Sequence, residues 1–171
     1  MTTTDTRVRS LPEPGGPFSL PATTHSYLDR AAESLREAVV APDVPTRYAC
    51  AHVAALRAAA ALLAARARPA GSGTRRRPQK NAWVLLAEVA PELTEWATFF
   101  AAGAGKRAAA EAGSTRAVTE READDLVRDA DRFLGVVEQA LGLVPHVVSP
   151  QLCVLADPRR QPARSSRVRA G

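Results

Sequence analysis

The chain has 171 residues, of which 46% are apolar, many of them alanine, and only 5% are aromatic; that suits one domain plus tails. Its formal net charge of +5 is uneven: residues 23–144 carry 16 basic and 15 acidic side chains, whereas the flanks, 1–22 and 145–171, carry 7 and 3. The folded part is therefore close to neutral, the basicity belongs to the ends and one loop, and the bias of 21 arginines over 2 lysines is one that a high-GC genome produces together with the alanine excess.

Residues 1–22 are rich in Thr, Pro and Gly, and PEPGGP can continue neither helix nor strand, so disorder is expected there. No apolar core of a signal peptide stands in this segment. The first helix is expected from about Thr24 to Val40, capped by Thr23 or Thr24. Leu28, Ala31, Leu35, Ala38 and Val39 recur at helical spacing, with Tyr27 at the edge, opposite Asp29, Arg30, Glu33, Arg36 and Glu37.

Asp43 then offers an N-cap and Pro45 sits in the first turn of the central helix, read over Arg47–Arg68. Ala and Leu, strong helix formers, fill it, and Arg57 is the only charge between Arg47 and Arg66. A helix apolar nearly all round is buried. Tyr48, His52, Val53, Leu56, Leu62 and Leu63 fall on one arc; Ala51, Ala54, Ala58, Ala61 and Ala65 form another, where a neighbour can pack closely. No stretch of 18 residues is both apolar and free of charge, so no membrane span is expected.

The loop PAGSGTRRRPQK is the most basic internal segment. Arg66, Arg68, Arg75, Arg76, Arg77 and Lys80 are its candidates for phosphate contact, but no aromatic interleaves with them to stack on bases. A third helix is expected from Asn81 to about Ala112, bent at Pro91, with Trp96, Phe99 and Phe100 pointing inward at i, i+3 and i+4. Gly103 and Gly105 signal a close crossing or another bend, and Gly113 a C-cap.

The last helix opens on a capping box, Thr119 with Glu122. Ala123, Leu126, Val127, Ala130, Phe133, Leu134, Val137 and Leu141 form its apolar stripe, and Asp124, Asp125, Arg128, Asp131 and Arg132 are assigned to the outer face. After Val144 the pattern stops, and residues 145–171 read as a mostly disordered basic tail containing one short apolar run.

Chemistry is sparse. The three histidines stand apart, and Cys50 and Cys153 belong to no metal or redox spacing, so neither metal nor cofactor is expected, and a reducing, cytoplasmic setting is. Arg47 and His52 form the one constellation, an R-x4-H pair. Five residues turn a helix by about 140°, so the two side chains diverge.

The helical order, with RYACAHVAALRAAAALLAARARP, AWVLLAEVAPELTEWATFFAAGAGKRAAAEAG and VTEREADDLVRDADRFLGVVEQALGL in sequence, resembles the HEPN-like superfamily, and AWVLLAEVAPEL in particular resembles its small actinobacterial branch. The resemblance covers roughly residues 23–144. It implies an all-α, up-and-down bundle of four main helices that pairs into a homodimer. It also implies, for many members, a metal-independent toxin-like RNase with an R-x4–6-H motif near the start of the last main helix, partnered by a nucleotidyltransferase-like protein. The last helix here holds no His, and the only pair with that spacing lies in the second. The expectation is therefore a non-enzymatic interaction module, with His52 buried among Tyr48, Leu56 and the aromatics of the third helix and Arg47 turned away. The alternatives are an RNase built on Arg47 and His52 across a dimer, or a weak nucleic-acid binder using the arginine loop.

Overall fold

The computed structural model describes residues 19–66 and 80–147, so most of the N-terminal segment and tail, as well as Arg68, Arg75, Arg76 and Arg77, lie outside the described residues. All regular structure among them is helical: α1 (Ala22–Val40), α2 (Val44–Arg66), α3 (Ala82–Val89), a 3-10 turn at Pro91–Leu93, α4 (Thr94–Ala102), α5 (Ala104–Glu111) and α6 (Glu120–Ala140).

Helix α2 is the hub, touching α1, α6, α3 and α5. Its fully buried positions are mostly alanine (Ala51, Ala55, Ala58, Ala59 and Ala61), joined by Leu62. Small side chains let α1 and α6 approach the backbone closely, where many weak dispersion contacts accumulate. Larger side chains then fill the gaps between helices. Leu62, Leu86, Phe100 and Phe133 are fully buried, each worth about 1.5–3 kcal/mol of hydrophobic transfer. By length and composition α2 also meets the requirements of a membrane span, but 50% of that window is buried inside the bundle, the pattern of a core helix.

Three helix starts follow the local chemistry. Asp43 accepts hydrogen bonds from the Thr46 backbone N–H and hydroxyl, both at 2.9 Å, and Asn81 accepts from the Trp83 N–H at 3.0 Å. At α6, Thr119 and Glu122 exchange both bonds of a capping box. Lys106 and Thr119 together hold the Glu122 carboxyl down to about 2. Helix α1, expected to be capped by Thr23 or Thr24, instead starts at Ala22 with no side-chain cap, and α4 and α5 also start without one. The Pro21 carbonyl receives the Thr24 N–H at 2.9 Å, and Thr24 is buried within the first turn rather than standing before it.

The expected third helix is three. The chain leaves helical geometry at Ala90 (φ −135°, ψ 74°), because Pro91 disfavours the helical conformation in the residue before it. A second break falls at Gly103, where a β-carbon would come within 3.0 Å of the Tyr48 hydroxyl and 3.3 Å of the His52 ring. Gly103 thus marks both the bend and a close approach to α2. The bends re-aim the aromatics: Phe100 is buried and Trp96 half-buried, but Phe99, expected inside, is 46% exposed. Beyond α6, Gly142 takes φ 75°, a left-handed conformation suited to glycine, and Leu143 donates back to the Glu138 carbonyl at 2.9 Å. That reversal lays Leu143–Val147 against α6.

Candidate functional site

The R-x4-H pair is split between two environments. His52 is 1% exposed. Its Nε2 lies 2.9 Å from the Phe100 carbonyl oxygen, which can only accept, so the ring carries its proton on Nε2 and donates. Trp83 and Phe100 meet the imidazole edge-on, at 5.9 and 6.0 Å between ring centres. Phe100 in turn packs against Trp83, Trp96 and Phe133. Burial pushes the His52 pKa down, more than the Phe100 carbonyl raises it, and Arg107 pushes the same way as burial. The result is a neutral imidazole in a dry aromatic cage.

Arg47 belongs elsewhere. Its Nη1 lies 2.6 Å from an Asp124 carboxylate oxygen and 4.0 Å from Glu120, both in the first turns of α6. Arg47 and Asp124 side chains are 17% and 20% exposed, so this pair is largely screened from solvent. Arg47 and His52 therefore have separate partners on separate faces of α2.

Of the candidate phosphate contacts, Arg66 and Lys80 are described. Arg66 bonds Glu92 at 2.7 Å and the Val89 carbonyl at 3.2 Å; Lys80 bonds Glu88 at 2.5 Å. Each is neutralised by an acid of α3 or the following turn.

One polar cluster escapes the sequence reading. Asp131, assigned to the outer face, is 3% exposed. Its carboxylate meets His146 Nε2 at 3.0 Å, while His146 Nδ1 and backbone N–H both reach one oxygen of Glu138 at 2.8 Å. A signal for this was available. Asp131 lies four residues after Val127 and three before Leu134, on the apolar arc itself, and Glu138 follows a heptad later on the same face. Only the third member, in an aperiodic segment, gave no sign. Among the described residues no group of three or more His, Cys, Asp or Glu side chains is placed to hold a metal ion.

A second feature lies around the exposed Phe99. It lines a cavity of about 610 Å³ together with residues that include Tyr48, Lys106, Glu122 and Arg132. It also lines a recess of about 300 Å³ with Glu95, Trp96 and Asp129. Phe99 and Asp129 are thus shared by two hollows with a mixed-charge rim.

Residues 38–138, more than half of the chain, match the family described as SAV_6107-like HEPN. No curated protein and no solved structure matches significantly.

Proposed function

The chain belongs to the SAV_6107-like HEPN family, and from that premise we propose that it works as a non-catalytic helical interaction module. The observation carrying this reading is the split pair. An RNase of the R-x4-H kind needs a cation beside the scissile phosphate and a proton carrier within reach of the same phosphate. Here the cation is engaged by Asp124, and the imidazole is sealed under Trp83 and Phe100. We read the bundle as four-helix and up-and-down, with α3, α4 and α5 as one composite third helix; the short link between α1 and α2 supports antiparallel neighbours.

The partner we favour is a second copy, contacting through the Phe99 face. A two-fold contact must be self-complementary. This face carries an aromatic ridge beside hollows that can receive one, and its cavity rim balances Lys106 and Arg132 with Glu122 and Asp129. Aromatic anchors of this kind dominate interface energies. Two measurements test the reading. Purified protein on mixed single-stranded RNA should cleave no faster than the folded Arg47→Ala and His52→Ala variants; cleavage lost in both variants would establish the RNase instead. Sedimentation equilibrium should give a dimer that Phe99→Glu converts to monomer. One chain mass for the parent at high micromolar concentration would remove the two-fold contact from the proposal.

A further inference from the structure

We propose that Leu143–Val147 is a proton-operated strap, held on α6 by His146 bridging Asp131 and Glu138 at the rim of the groove between α1 and α6, and let go when the bridge loses its proton.

Ionised carboxylates only accept hydrogen bonds, and a neutral imidazole carries one N–H. His146 nonetheless faces a carboxylate oxygen from each ring nitrogen, at 2.8 Å and 3.0 Å. Both contacts are favourable only when the trio holds one proton beyond neutral His and two carboxylates. Removing it sets a nitrogen lone pair against a carboxylate oxygen, and Asp131 is too deeply buried for water to make good the loss.

The surroundings agree. From α6, Asp131 and Glu138 face the ring; from α1, Arg36 lines the same groove and is paired with Glu33. No second cation from α1 substitutes for His146 at Asp131 among the described residues. Burial pulls the His146 pKa down, but the hydrogen bonds and charges of Asp131 and Glu138 outweigh it, and the net shift is upward. The charged state is thus the one that the closed strap favours.

The groove that the strap borders, about 430 Å³, is lined by Leu35, Val39 and Leu134 with Val147 at its edge. Val144 and Val147 are 92% and 89% exposed, so the hold on the strap is polar rather than apolar. Its holding contacts are few: the Leu143 N–H on the Glu138 carbonyl, and the His146 side chain and N–H on the two carboxylates. A segment held by so few bonds opens at lower free energy than the helices beneath it.

The test follows exchange of the His146 amide, which donates to Glu138 in the closed state, in the full-length chain by NMR. After correction for intrinsic rates, its protection should fall by about tenfold or more between about pH 5.5 and about pH 8.5, while the Phe133 amide in α6 stays protected. The midpoint should coincide with titration of the His146 ring, above its ordinary 6.5. Asp131→Asn should move that midpoint to lower pH. Should that variant not fold, His146→Gln should leave α6 protected but abolish the pH response of the residue-146 amide. Equal protection across the range, or a ring titrating below its ordinary value, overturns the strap.

Discussion

His52 and His146 are the same side chain in opposite surroundings. At the junction of α2 and α4, aromatic rings exclude water and offer His52 one uncharged acceptor, so burial strips the charge. At the end of α6, two carboxylates face His146 and keep the charge in place. The difference shows that burial alone does not set protonation; the partner does. It also separates the two sites in kind. The first is tied to cohesion, because its members are the largest buried side chains. The second governs a short segment at the periphery.

The strongest way to break the contrast is to open the dry site. Phe100→Ala removes the ring that joins His52, Trp83, Trp96 and Phe133, and should cost about 3–5 kcal/mol in urea unfolding. His52 should then titrate nearer its ordinary value by NMR. An unchanged midpoint would mean the aromatic cage is not the core.

Stability against pH sharpens the contrast, because the two histidines pull in opposite directions. The folded pKa of His146 is raised, so its contribution is full below about 6.5, the unfolded value, and is lost as pH rises through the folded value. The folded pKa of His52 is lowered, so its contribution is full above that unfolded value and is lost as pH falls from there through the folded value. Each slope is at most about 1.4 kcal/mol per pH unit. His146→Gln should remove the alkaline loss and His52→Gln the acid loss. The same pH dependence in both variants would show that neither group is linked to folding.

The mildest change is a control. Thr119→Ala removes the cap of α6, which serves both sites, and should cost about 1 kcal/mol without altering either histidine's titration. A changed titration would show that the two sites are coupled through the helix.

The periodic parts of this fold were legible in the sequence. The stripe of α6, the alanines of α2, and the caps at Asp43 and Thr119 depend on neighbours within a few residues, which a linear pattern contains. Phe99 was misplaced because α4 is only nine residues between two breaks, so its facing is set by α2 and α6 rather than by its own spacing. Asp131 was misplaced because its charge was read as a preference for water, when the compensating charge lay fifteen residues onward. The split of Arg47 from His52 was partly visible as an angle, but the partners, Asp124 and the Phe100 carbonyl, come from elements distant in the chain.

The alanine surface of α2 has a mechanical side. Shallow ridges give cohesion but little preference for one axial position over another, so a slip of one turn against α1 or α6 changes few contacts. Two arginines remove that degeneracy. Arg57 reaches the Arg30 carbonyl at 3.0 Å and the Ser34 hydroxyl on α1, and Arg47 reaches Asp124 on α6. Both fix the helix lengthwise, much as a single polar group fixes register in an otherwise uniform apolar seam. Under the proposed non-catalytic reading, Arg47 is an alignment key.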